Sequence, residues 1–492
     1  MATVSEKSFG RFQIGGQEVH GELLINAGET NLYVEDRSYF LKSDLPDFIF
    51  GTLQQNEKVT LADCLLPPVL GAACLEGSGR INFANIFPHY IIRGDHFDPN
   101  QNVVKTIFFQ IDDAEAIFPD RQAFGLVLEP ETKIAALLAD QDHGAIGERP
   151  EILYFSGKHE IFECSVPAGK LSASHGFSMS HPGVKGFKID NSIRMQFVFD
   201  TAKDLRGSLD PVWSIAQLFG LLAGRPQHIF DIRIVLVGDD ERKPFLKVLP
   251  TTARTFRDGD RATKPHSRDA LLNGVQHPET LAGLISSWFC DEAILGHARR
   301  RFFNAFDQQN NFDVNRIIAA ANLYDLIPES VNPVSKSLPQ EIQDVVDKCK
   351  ALFDALPSSP ERSAGLSSLG RMNSANLKKK ILAWSEGLRG GFNGKFKDLQ
   401  LVLDQAVDCR NYFVHGSAAK FDYIKNIDQF IFLIETLEFT FALSYLLRGG
   451  WREKMWLSNG GGQSHCFGRY LYDFDRNVSE LGIVLRGGER EG

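Results

Sequence analysis

The apolar residues change their period part-way along the chain, and that change governs what it can fold into. From Phe9 to about Val248 they come in short alternating runs broken by Gly, Pro, Asn and Asp; beyond about residue 268 they recur every three or four positions. Alternation buries one face of a strand, whereas the longer spacing buries one stripe of a helix. At 492 residues the chain has room for two or three domains. The expected class is therefore α+β: a β-rich, sandwich-like N-terminal domain over residues 1–255, an all-α bundle over 268–450, and a tail over 451–492.

In the first half, strands are expected at 12–14 and 19–25 around Gly15-Gly16, then at 90–93, 103–111, 151–164, 192–199 and 229–237. One helix interrupts them, with Asp210-Pro211 as its start and Gly224 as its stop. A sandwich or a curved sheet should result. The polar stretch 251–267 reads as the boundary. Helices follow at about 279–309, 313–326, 339–356, 375–388, 396–415 and 422–447, with Pro-, Ser- and Gly-rich separators at 328–339 and 357–371. No internal repeat is visible, and the Gly-rich tail after Gly449 is assigned no element.

Composition narrows the function. With 38 Phe against 5 Met and 5 Trp, large aromatic cores are expected. Residues 1–7 lack the apolar run of a secretory signal. The segment 427–447 is apolar on several sides, but it carries Asp428, Glu435 and Glu438. A mid-bilayer carboxylate costs roughly 2.5 kcal/mol or more, so a buried bundle helix is the better reading. Seven cysteines at scattered spacings form no CxxC unit, which fits a reducing cytoplasm. Residues 1–267 carry 27 basic and 35 acidic side chains, and residues 268–492 carry 26 and 27. Any polyanion chemistry therefore belongs to the second half.

That half contains Asp408-Cys409-Arg410-Asn411-Tyr412-Phe413-Val414-His415-Gly416, an Arg-x4-His pattern with a polar residue directly after the Arg. With 29 Arg and 13 His, about one such pair arises by chance, and Arg261 to His266 is a second copy. Pro265 forbids a continuing helix there. The copy at 410–415 differs. Leu399, Val402, Ala406, Cys409 and Phe413 share an apolar helix face, while Asp404, Asp408, Asn411 and His415 form a polar stripe. His415 lies in the last turn before Gly416, a C-cap residue, where the helix dipole favours a cation.

This motif between two long helices, downstream of a β domain, resembles the HEPN superfamily, and within it the ApeA family of bacterial anti-phage proteins. The segments Val19-His20-Gly21-Glu22-Leu23 and 218–226 also have the character of that family's N-terminal domain. The resemblance implies a helical-bundle dimer whose two motifs meet in one cleft. It further implies metal-independent RNA cleavage, with tRNA as substrate, and abortive infection. No cofactor and no metal is expected.

The side chains suit that chemistry. His415 is the candidate general acid–base, because imidazole titrates near neutrality. Arg410, always charged and planar, is the candidate phosphate clamp; Asn411 would orient His415 or a phosphate oxygen. On an ideal helix Arg410 and His415 point about 140° apart, at 100° per residue, so Arg's length, the frayed helix end or a partner chain's motif must bring them together. Asp404 and Asp408 are expected to be solvated or paired with Arg410. Arg299, Arg300, Arg301, Lys378, Lys379 and Lys380 are candidate RNA-phosphate contacts. His159 to Cys164 alternates faces on a strand, His465-Cys466 is too little for zinc, and Gly460-Gly461-Gly462 lacks a P-loop's Lys and Ser/Thr. Two other readings remain open: a β domain that binds a phage component above a merely dimerising bundle, and a HEPN protein that is itself a target of nucleotide modification. The many large side chains of 427–447 point to a dimer seam.

Overall fold

The computed structural model describes residues 6–26, 29–36, 46–65, 71–75, 79–138, 147–180, 188–238, 244–251, 264–333, 339–372, 376–460 and 464–488. The chain divides into two compact units, Met1–Ser286 and Ser287–Gly492. Most of the polar stretch expected as a boundary, residues 252–263, lies outside the described residues, as do Arg261 of the second Arg-x4-His copy and Gly461-Gly462.

The first unit is β-rich, as expected, and in place of a sandwich it forms the other expected arrangement, a curved sheet, part of which closes into a barrel. Glu6–Ile14 pairs antiparallel with Gln17–Ile25 across Gly15 and Gly16, both at positive φ, the backbone that a two-residue hairpin requires. Gln17–Ile25 pairs with Asn31–Asp36, and Glu6–Ile14 with Phe48–Leu53, which pairs with Lys58–Leu65. The long strand Gly79–Arg93 takes both Asn31–Asp36 and Lys58–Leu65, closing six strands into a ring. Phe12, Val19, Leu23, Leu32, Val34, Ile49, Val59, Leu61, Ile86 and Ile91 fill it. At Gly51 a Cβ would stand 2.5 Å from the Phe12 ring, so that ring claims the space of a side chain. The closing seam, between Glu6–Ile14 and Phe48–Leu53, is short: it pairs only Gly10, Arg11 and Phe12 with Leu53, Thr52 and Gly51.

From Gly79–Arg93 the sheet runs on through Leu246–Pro250, Ile229–Leu236, Val104–Ile111, Lys188–Lys203, Gly169–Ser180 and Glu160–Val166. The single strand expected at 151–164 is two. Glu151–Phe155 leaves this sheet to pair with Phe124–Leu128. The helix Leu205–Ala223 packs on Val104–Ile111 and Lys188–Lys203. It starts before Asp210: Asp204 caps it by accepting from the Gly207 amide (2.6 Å), and Pro211 lies inside. Gly224 ends it in the left-handed conformation, as read from the sequence. The next residue, Arg225, forms a forked pair with buried Asp113 (2.6 and 2.7 Å).

The second unit is helical. The expected helix 279–309 is two, Pro278–Cys290, which runs across the boundary at Ser286, and Glu292–Phe306. Val314–Asn322, capped by Asp313, runs into a 3₁₀ turn, Leu323–Leu326. Gln340–Asp354 comes next, and Pro360–Met372 occupies part of the stretch expected only as a separator. Leu377–Trp384, Leu399–His415 and Ile427–Arg448 follow. The tail carries a 23-residue helix, Cys466–Gly488.

Ile427–Arg448 is the axis of this unit. It has the length and mean hydropathy (1.7) of a membrane span, yet 83% of its apolar window is buried inside the structure. Val314–Asn322, Leu377–Trp384, Leu399–His415 and Cys466–Gly488 pack around it. Its large side chains are thus covered by their own chain, and the argument from them to a dimer seam fails. Its buried Glu438 takes a forked pair from buried Arg316 (2.8 and 2.9 Å), the partner that a dry carboxylate requires.

Candidate active site

Leu399–His415 forms as its apolar stripe demands. Leu399, Val402, Leu403, Ala406, Val407 and Cys409 are buried, and Gly416 stops the helix at φ 65°, its amide bonding to the Tyr412 carbonyl. The opposite face carries the motif, with Arg410 and Asn411 half-buried and His415 exposed. Cys409, beside Arg410 in sequence, points into the core. Burial pushes its thiol up to about 12, so it is no nucleophile.

The 140° separation is closed within one chain. Arg410 bends along the helix, and its Nη1 donates to His415 Nε2 (2.9 Å) and to Asn411 Oδ1 (3.0 Å). Its other edge is held from outside the helix: Nε and Nη2 both donate to Oδ1 of Asn322 (3.0 and 2.8 Å). Because a guanidinium can only donate, His415 Nε2 accepts in this arrangement, and the imidazole's proton sits on Nδ1. Asn322 ends the helix Val314–Asn322, which the Arg316–Glu438 pair fixes to the central helix six residues earlier. The sequence reading did not single out Asn322. It lies 88 positions before Arg410, and no spacing rule joins them.

The other candidates separate clearly. Lys378 pairs with Asp408 (2.7 Å) and Lys380 with Asp325 (2.9 Å), so Asp408, expected to be solvated or paired with Arg410, answers a lysine. Both lysines stand on Leu377–Trp384, a helix that packs against the motif helix, and Lys379 is exposed beside them. Arg299 departs from expectation. It is 2% exposed, lies 4.0 Å above the Trp288 ring, donates to the Trp288 carbonyl and pairs with Glu292. Its position at i+4 from Leu295 and i−3 from Phe302 places it on the buried stripe, so it is a core residue and no phosphate contact. Arg300 and Arg301 remain exposed. His465 is buried against the Trp456 ring, and His159 stacks on Phe177. Among the described residues no three His, Cys, Asp or Glu side chains cluster as metal ligands.

A β-rich unit followed by a helical bundle, with an Arg and a His joined at the C-terminal end of one helix, is the build of a HEPN-type nuclease carrying a separate N-terminal module. Family models agree over both parts: residues 7–274 match the ApeA N-terminal domain 1, and residues 320–454 match the Apea-like HEPN domain. The chain belongs to the ApeA family, anti-phage proteins with a HEPN-type nuclease domain. No curated protein and no solved structure matches it.

Proposed function

We propose that the helical unit is a metal-independent endoribonuclease, that it cuts tRNA at Arg410 and His415 in the cytoplasm, and that this cutting aborts phage infection. The observation that carries the reading is the Arg410 hub: Asn322 and Asn411 aim a guanidinium whose free edge meets the imidazole at 2.9 Å. A scissile phosphate entering here takes Arg410 donors in place of His415, which frees Nε2. The imidazole then removes the 2′-OH proton, O2′ attacks phosphorus, and the P–O5′ bond breaks as the 5′-oxygen takes a proton from water; the imidazolium afterwards returns its own proton to solvent. The ends are a 2′,3′-cyclic phosphate and a 5′-hydroxyl. Arg410 stabilises the charge that grows on the phosphoryl oxygens. Lys378, Lys379 and Lys380 flank the motif helix and suit the adjoining phosphates. The open placement of His415 suits a polymer in place of an enclosed small molecule.

The same proposal has the protein act as a homodimer joined beside the motif, where Tyr412, Val414 and Ile424 expose apolar surface.

The test is end-mapping of RNA treated with purified protein. Cleavage should persist in excess EDTA and leave 2′,3′-cyclic phosphate ends. His415→Ala and Arg410→Ala should each lose about 10²-fold or more in rate with folding unchanged. Activity that vanishes with chelator and returns with Mg²⁺, or folded variants that still cut and protect, would sink the reading.

A further inference from the structure

The outer face of the β-sheet in the first unit carries a basic cavity that the nuclease reading does not use. Along Val104–Ile111, Ile107, Phe109 and Ile111 are buried while Phe108 and Gln110 turn to the other face. The neighbouring strands alternate in phase, so Arg194, Asp231 and Arg233 join Phe108 and Gln110 around a cavity of about 180 Å³, with Phe245 at its edge. Three adjacent strands of the antiparallel sheet supply all of this set but Phe245, which directly precedes Leu246–Pro250.

Two local features are built for the arginines. Asp231 sits in the middle of a strand at φ 50°, where the pairing register with Val104–Ile111 slips between Phe230 and Arg233. A non-glycine residue held there is strained, and such bulges re-aim side chains. The result is a forked pair in which Asp231 holds Arg233 flat (2.9 and 2.8 Å), with Gln110 donating to the same carboxylate (3.3 Å). Arg194 is prepared differently. It lies across Gly176 of the next strand, where a Cβ would stand 2.4 Å from its Nε. A side chain at that position would push the guanidinium aside. Arg194 is exposed and, among the described residues, has no carboxylate partner.

We propose that this cavity binds a nucleoside monophosphate. Arg194 supplies a planar fork that no carboxylate occupies, and the neutralised Arg233 beside it adds donors, which together suit a phosphate. Phe108 and Phe245 meet edge to face with ring centroids 5.3 Å apart, and Phe245 is 47% exposed, so a flat ring has an aromatic surface at the cavity's rim. A cavity of 180 Å³ is smaller than the roughly 300 Å³ at which drug-sized pockets begin. It therefore houses the phosphate, while the base rests outside on Phe245. This inference is independent of RNA cleavage, because all of its residues belong to the first unit.

Titration calorimetry on the full chain tests it with three probes: AMP, inorganic phosphate and a 5′-phosphorylated tetranucleotide, using His415→Ala protein so that RNA survives. AMP should saturate one site per chain, and phosphate should bind about tenfold more weakly for want of the ring. Arg194→Ala should weaken AMP about tenfold or more, Arg194→Lys less so, and Phe245→Ala should bring AMP down to the level of phosphate. Arg194 is exposed, so its variants should fold, and unchanged melting temperatures verify that. No saturable AMP binding at millimolar concentration overturns the proposal, and so does binding indifferent to Arg194. Equal affinity for AMP and phosphate removes the ring contact and with it the nucleotide. A tetranucleotide that binds where AMP does not makes the face an RNA surface and overturns it as well.

Discussion

Arg410 has five N–H bonds to place, and among the described residues four of them are taken up. Two go to Asn322 Oδ1, one to Asn411 and one to His415, leaving one on Nη2 for a ligand. Asn322 is thus a positioning residue that acts through Arg410. Asn322→Ala should lower kcat about 10- to 100-fold with KM little changed, since a clamp displaced by an ångström costs on that order. Asn322→Asp, which keeps the acceptor oxygen, should retain most of the rate. In an Arg410→Lys background, where no fork remains to hold, Asn322→Ala should add little further loss. Additive losses in that cycle, or a lower melting temperature with normal kcat, would make Asn322 merely structural. The Arg–His pair was legible in the sequence because an Arg and a His five positions apart on one capped helix are a local pattern. Asn322 was not, because only tertiary packing brings it there. Arg299 is the opposite case: its place on the Leu295–Phe302–Phe306 stripe was readable, and the run of three arginines obscured it.

Two carboxylates, Glu435 and Glu438, stand one turn apart on the central helix, and Arg316 forks only the second. Burial, and then the charge of Glu438, push Glu435 up to about 7 from its ordinary 4.5. A carboxyl raised in the folded state holds a proton that the unfolded chain has already released. Its contribution is thus present at low pH and is lost as pH climbs from about 5 to about 7. Wild-type stability of the helical unit should fall across that window. Glu435→Gln should flatten the fall and stabilise the unit by about 1–3 kcal/mol at pH 8, with no gain at pH 4.5. Denaturant melts at several pH values measure this; parallel curves for the two proteins would exclude Glu435 as the titrating group. The buried helix itself was readable from its composition. The tail helix had its signal too, in Phe467, Tyr470, Leu471 and Phe474 at helical spacing, but the flanking glycines drew attention away. Barrel closure left no such trace. Alternating runs look alike in a sandwich and a barrel, and only Gly79–Arg93 pairing on both sides distinguishes them.

For the whole molecule, the intrachain contact between Arg410 and His415 changes what a dimer has to do. Two reasons for a two-fold seam came from the sequence: an unusually apolar helix, and a motif whose halves point apart. The first is answered by the packing around Ile427–Arg448, the second by the 2.9 Å contact within one chain. What remains is apolar surface near the motif. The Tyr412 and Tyr423 rings lie 5.4 Å apart, so the loop after Gly416 folds back onto the helix end; beside them Ile424 is 86% exposed, and Val414 and Ile427 are 40% and 48% exposed. On the proposed reading, a dimer joined there brings together two motifs that each have their own Arg410–His415 contact. Ile424→Glu should therefore convert dimers to monomers in light scattering, and a wild type that is monomeric at micromolar concentration would end the dimer proposal. The sharper test is complementation. Arg410→Ala chains mixed and reannealed with His415→Ala chains should stay inactive, because neither chain holds both groups and each group serves its own chain. Recovery toward a quarter of wild-type activity, the level expected if one composite site formed in each mixed dimer and half of all dimers were mixed, would show that Arg410 of one chain works with the imidazole of the other.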